Sequence, residues 1–159
     1  MYSSHDTKKL IGLGIVAMTV IVGGILLGVS GVMKNSTPDA ALAFDKTFYD
    51  FGTISMSNGK IAQTFILQNT GDQDVRLTDI RTSCMCTEAV IDGKNFGMHG
   101  PFGSDIAVEP GRPQEVKVVF DPNAHGPQGV GPITREIYLK TNSTTTPELS
   151  LRVIGNVIP

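Results

Sequence analysis

Two kinds of apolar spacing divide this chain. Residues 10–33 read LIGLGIVAMTVIVGGILLGVSGVM, apolar or small throughout and without a charge. A helix rises about 1.5 Å per residue, so the run reaches about 36 Å, enough to cross a hydrocarbon layer about 30 Å thick with some tilt. Beyond it the period falls to that of strands. Val116, Val118 and Phe120 alternate with Glu115, Lys117 and Val119, and Ile137 and Leu139 alternate with Glu136, Tyr138 and Lys140. Leu149, Leu151 and Val153 alternate with Ser150, Arg152 and Ile154, while Phe65 and Leu67, then Val75 and Leu77, repeat the pattern earlier. Successive strand side chains point to opposite faces, so each set predicts a strand with one face buried.

Turn-forming residues separate these runs: Ser57-Asn58-Gly59, Asn69-Thr70-Gly71-Asp72, Asp92-Gly93, Glu109-Pro110-Gly111 and Asp121-Pro122-Asn123. About seven or eight short strands so punctuated predict an all-β, antiparallel β-sandwich over residues 41–159. Nothing after Met33 carries a helical period. Two glycine- and proline-containing stretches, residues 92–104 and 122–132, read as long loops, which in such folds are surface connections or binding elements.

Charge fixes the orientation. Lys8 and Lys9 stand directly before the apolar run, whereas Lys34 follows it with Asp39 nearby. The lysine pair places the N-terminus in the cytoplasm and the rest of the chain outside. The expected organisation is a cytoplasmic segment at 1–9, a transmembrane helix at 10–33, a polar linker at 34–40 (KNSTPDA) and an exported domain at 41–159. The chain is therefore expected in the cell membrane as a single-pass protein, with the lipid bilayer as its first partner. A cleaved signal peptide would have an apolar core of only about 7–15 residues close to its cleavage site. Here the run is longer, the small-x-small candidate Ala41-Leu42-Ala43 lies well beyond it, and no lipoprotein cysteine is present. Gly24 and Gly28 have the spacing that lets membrane helices approach closely, which is the basis for a homo-oligomer.

The net charge of -2 gives no concentrated basic surface, which excludes a nucleic-acid partner. Carboxylates are scattered singly, and no glycine-rich loop joins a strand to a helix as phosphate binding needs. The sites Asn35-Ser36-Thr37 and Asn142-Ser143-Thr144 match a glycosylation pattern that arises often by chance.

The order Phe51-Gly52-Thr53-Ile54, Phe65 with Asn69-Thr70-Gly71, Ser83-Cys84-Met85-Cys86-Thr87, Pro110-Gly111, Val116 through Asp121 and Thr141-Asn142 resembles the bacterial DUF1573 family. The resemblance covers about residues 44–157 and implies an immunoglobulin-like sandwich, similar to modules of the major-sperm-protein type, exported to the cell envelope and without an established reaction. Met85 departs from the pattern, because the family has glycine between its cysteines. The stretch 93–103 is also longer than the family implies.

Both cysteines of the chain lie in this motif. In an extended segment Cys84 and Cys86 share a face with Cα atoms about 6.5–7 Å apart, so a disulfide needs a bend there. A metal needs more ligands: Met85, Met98 and His99, with His125 from the other long loop, complete a soft set that favours copper(I) over zinc. A nucleophile needs a base, for which His99 or His125 stands available without any recognisable signature. The remaining reading is architectural, a small and partly buried pair, reduced or bridged. No catalytic constellation is complete, so neither enzymatic activity nor a cofactor is expected. The leading expectation is a membrane-anchored, exported β-sandwich that binds or scaffolds a protein partner. The alternative is an envelope copper-binding or thiol-redox protein centred on Cys84 and Cys86.

Overall fold

The computed structural model describes residues 41–159. The expected membrane span at 10–33, the linker at 34–40 and the glycine pair Gly24 and Gly28 lie outside these residues. Among the described residues no helix is long and apolar enough to cross a membrane.

Ten strands follow in order: β1 (Leu42–Phe44), β2 (Phe48–Ser55), β3 (Ile61–Asn69), β4 (Val75–Thr82), β5 (Thr87–Ile91), β6 (Lys94–Phe96), β7 (Ile106–Val108), β8 (Gln114–Phe120), β9 (Gly131–Thr141) and β10 (Glu148–Ile158). They form two five-stranded sheets, β1-β3-β8-β5-β6 and β2-β10-β9-β4-β7. The inward residues of both meet in one core. Phe65 and Leu67 of β3, Val116 and Val118 of β8, and Ala89 and Ile91 of β5 pack with Val75, Leu77 and Ile80 of β4, Ile137 and Leu139 of β9, and Leu151 and Val153 of β10. Strand alternation thus becomes burial, at about 25 cal/mol for each Å² of apolar surface withdrawn from water.

The number of strands and the antiparallel pattern both depart from expectation. The domain has ten strands because β1, β6 and β7 are only three residues long, too short to display a period. Two of them lie in and just beyond the stretch expected as one long loop. Asp92 and Gly93, at φ 50° and 72°, form a two-residue turn that folds β6 back on β5, burying Phe96. Pairing is antiparallel except between β2 and β10, which run parallel. Parallel neighbours need a long connection, and here the whole of β3 to β9 supplies it. The chain enters as β1 on one sheet, crosses within residues 45–47 and continues as β2 on the other.

A register shift in β4 decides which of its residues turn inward. The pairing of β4 with β9 slips between Leu77 and Asp79. The burial phase slips with it, from Val75 and Leu77 to Ile80 and Thr82. Without the extra residue, Asp79 and Arg81 would face the core. Outside, Asp79 instead meets Arg81 at 2.8 Å, and the guanidinium holds its carboxyl below the ordinary range.

Asn69 ties the opposite end together. Its Nδ2 donates to the carbonyls of Gln73 (2.7 Å) and Val108 (2.8 Å), and its Oδ1 accepts from the Gly71 N–H. Asn69→Ala leaves both carbonyls without their donor and is expected to cost about 2 kcal/mol, read from denaturant unfolding of the full-length chain. An unchanged midpoint would contradict this role.

Candidate functional site

The link from β4 to β5 is one of the places where the chain passes from one sheet to the other, and it consists of Ser83, Cys84, Met85 and Cys86. It is a turn and not an extended run. The Thr87 N–H donates to the Cys84 carbonyl at 3.1 Å. The Thr82 hydroxyl, turned inward by the β4 shift, lies 3.0 Å from that carbonyl and 2.9 Å from the carbonyl of Thr87, which share its single proton. Both flanks are anchored. Ser83 and Glu136 exchange two hydrogen bonds at 2.9 Å each, and the Asp121 N–H donates to the Cys86 carbonyl at 2.9 Å.

This bend brings the Cα atoms of Cys84 and Cys86 to 5.2 Å, and the two sulfurs are joined in a disulfide. The extended geometry with Cα atoms about 6.5–7 Å apart is therefore corrected: the crossing between sheets supplies the bend that a bridge requires. Met85 fills the place of the family glycine without burial, 63% exposed at the outside of the turn.

The two sulfurs have different surroundings. Cys86 is only 2% exposed and belongs to a satellite apolar cluster with Ile54, Phe120, Ile133 and Val157. These residues come from the ends of β2, β8, β9 and β10, so the bridge lies over one end of the sandwich. Cys84 is half-buried at the margin of that cluster.

Arg135 reaches the buried sulfur. Its Nε lies 3.0 Å from Cys86 Sγ, and its guanidinium sits 6.0 Å from the centre of the Phe120 ring. On β9 it shares the phase of Ile133, Ile137 and Leu139, all buried, so a cation occupies an inward position at the rim of the core. Burial pushes its pKa below the ordinary arginine value, though a guanidinium stays charged throughout the accessible range. Among the described residues no carboxylate lies within ion-pair distance of Arg135. Its neighbour Glu136 is engaged elsewhere. The Tyr138 hydroxyl and the Arg152 guanidinium, the latter at 2.8 Å, hold the Glu136 carboxyl below the usual carboxylate range.

His125 reaches the outer sulfur, with Nε2 3.3 Å from Cys84 Sγ. It lies in the loop after β8, which is stiffened from within. Asp121 Oδ1 accepts from the Asn123 N–H at 2.8 Å, Asn123 Nδ2 donates to the Met56 carbonyl at 2.8 Å, and a short 3-10 turn follows at Gly126–Gly129. Glycine at 129 suits this close approach, since a Cβ there would fall 3.3 Å from His125 Cβ and 3.4 Å from the Pro122 carbonyl oxygen.

Of the sequence-derived site residues, the structure brings together Cys84, Cys86 and His125, whose ligand atoms lie within 4.8 Å of one another. His99 is not in that group. It sits exposed beside Met98 (44% exposed) in the turn bracketed by the Gly97–Gly100 bridge. Sequence reasoning missed Arg135, although its place in the Ile133-Ile137-Leu139 phase was a legible signal.

The chain belongs to the family described as Protein of unknown function (DUF1573), whose model matches residues 42–157. No curated protein matches it. Among solved structures it is similar to a protein of unknown function from Porphyromonas gingivalis W83, at TM-score 0.60 and 16% identity, over 80% of this chain and 51% of that one. It is also similar to the VesB protease of Vibrio cholerae, at TM-score 0.50 and 15% identity, over 72% of this chain and 31% of that one. The chain thus spans about half the length of the first and less than a third of the second, and the likeness is one of fold.

Removing the hydroxyl that holds the turn, by Thr82→Val, is expected to lower stability by about 1–3 kcal/mol and to speed hydrogen exchange at the Thr87 amide. Unaltered exchange at that amide would contradict the role given to Thr82.

Proposed function

We propose that the chain is a membrane-tethered, exported module of immunoglobulin-like fold that exchanges electrons with a dithiol partner through the Cys84–Cys86 bridge. The observation that carries this reading is the contact from Arg135 Nε to Cys86 Sγ at 3.0 Å. A cation held at the core rim with a sulfur beside it, and no carboxylate among the described residues to neutralise it, favours the form in which that sulfur is negative.

The asymmetry of the pair sets the direction of exchange. An incoming thiolate meets the half-buried Cys84, since Cys86 is covered. Its sulfur bonds to Cys84 Sγ, the Cys84–Cys86 bond breaks, and the electron pair leaves on Cys86 Sγ against the Arg135 N–H. The partner's second thiol then attacks its own sulfur in the mixed disulfide and releases Cys84, beside His125. Over the cycle the partner dithiol gives up two electrons and two protons and becomes a disulfide, while Cys84 and Cys86 take both up as thiols. The run at 10–33 and its lysine flank support placement outside the cytosol, where such exchange between proteins is sustained. Beside the bridge a recess of about 160 Å³, lined in part by Lys60, Met85, Cys86 and Asp121, leaves room for a partner's side chain.

This reading takes up the alternative expectation, thiol exchange at Cys84 and Cys86, in place of a general scaffold. The test is labelling of the full-length chain in spheroplasts, after mild reduction, with a membrane-impermeant thiol reagent. In the Cys86→Ser chain the lone Cys84 is expected to label at least about tenfold faster than the lone Cys86 of the Cys84→Ser chain. No labelling in spheroplasts, with labelling after lysis, would overturn the placement. Equal rates at the two positions would overturn the proposed order of attack.

A further inference from the structure

We infer that the reduced pair, together with His125, forms a site for one monovalent copper ion, Cu(I). This rests on the reading of the Cys84–Cys86 bridge as one that opens. Three donors converge: Cys84 Sγ, Cys86 Sγ and His125 Nε2, within 4.8 Å of one another. Two ligands about 2.3 Å from a common centre lie at most about 4.6 Å apart, so the present span is slightly wider than a coordination sphere and a small side-chain movement closes it. Opening the bridge frees the two sulfurs to separate to such a distance, while Thr82, Ser83 and Asp121 continue to hold the turn between them.

The donors choose the element and Arg135 chooses the charge. Two thiolates and one imidazole make a soft set, which suits Cu(I). Structural zinc takes four ligands, and no carboxylate of the described residues belongs to this group. The charge count points the same way. Two thiolates and a monovalent ion carry a net single negative charge, which the Arg135 guanidinium, 3.0 Å from Cys86 Sγ, offsets. With a divalent ion the thiolates are already neutralised, and the half-buried guanidinium is left uncompensated beside a low-dielectric cluster of Ile54, Phe120 and Ile133. The site thus discriminates between metals by total charge as well as by softness. Two thioethers stand near without being required: Met85 in the turn, and Met56, whose Cε approaches the His125 and Gly129 corner.

Disulfide and metal are mutually exclusive states of one pair of sulfurs. The oxidised chain has no thiolate to offer, so copper binding follows the redox state of the bridge.

The test uses the full-length chain in detergent, reduced and freed of reductant without oxygen. Thiols are counted first, and the chain is then titrated with tetrakis(acetonitrile)copper(I) against bicinchoninate as competitor. Two reactive thiols and one Cu(I) retained per chain are expected, with two sulfurs and one nitrogen in the X-ray absorption shell. Affinity should fall by about 10–100-fold in Arg135→Gln, and Zn(II) binding should fall less, so that the preference for copper narrows. His125→Ala should remove the nitrogen from the shell. Two free thiols with no Cu(I) retained would overturn the copper site and leave the thiol reading standing. A bridge that yields no thiols to reductant would overturn both. Undiminished Cu(I) binding in the Cys84→Ser, Cys86→Ser double variant would assign the ion to other residues and overturn the inference.

Discussion

A guanidinium on the inward phase of a sandwich strand has to find an acceptor, because an uncompensated buried charge costs several kcal/mol. Arg135 holds that position on β9; its Nη1 donates to the Thr134 carbonyl at 2.7 Å, and its Nε meets the sulfur of Cys86 at 3.0 Å. The other features of this end of the domain make that contact available. The slip in β4 turns Thr82 inward, Thr82 grips the tight turn between the sheets, and the turn delivers Cys86 beneath the arginine while Cys84 stays toward solvent. A loop stiffened by Asp121 and Asn123 then sets His125 against the outer sulfur. One end of an ordinary two-sheet core thereby holds a disulfide with a guanidinium against its inner sulfur and an imidazole against its outer one.

Much of this was legible from the chain alone, for a physical reason. β8, β9 and β10 are long enough for alternation to register, and their apolar phase is the one the core buries. The ladder of turn residues was equally readable, down to Asp92-Gly93 and Asn69. Three things were hidden. β1, β6 and β7 are too short to show a period. The parallel pairing of β2 with β10 joins segments nearly a whole domain apart in sequence, which no local pattern encodes. The β4 shift reverses the facing of its second half, so Ile80 and Thr82 bury where simple alternation from Leu77 would bury Asp79 and Arg81.

The site was half legible. The motif around Cys84 and Cys86 stood out, and His99 and His125 were credible companions, but which of them joins the sulfurs depends on which loop folds over the β4–β5 crossing. Arg135 is the instructive omission. Its position among Ile133, Ile137 and Leu139 marked it as inward, and a charged residue in an apolar phase is informative because solvation resists it. An inward cation of this kind points to its acceptors, and one of them here is the site.

The central claim is that Arg135 favours the reduced state of the pair, and the reduction potential tests it most directly. Equilibrating the full-length chain and its Arg135→Gln variant with defined glutathione mixtures gives both potentials under one set of conditions. The account expects the variant to be harder to reduce, its potential more negative by about 30 mV, which for two electrons is about 1.4 kcal/mol. Equal potentials, or a variant that is easier to reduce, would contradict it.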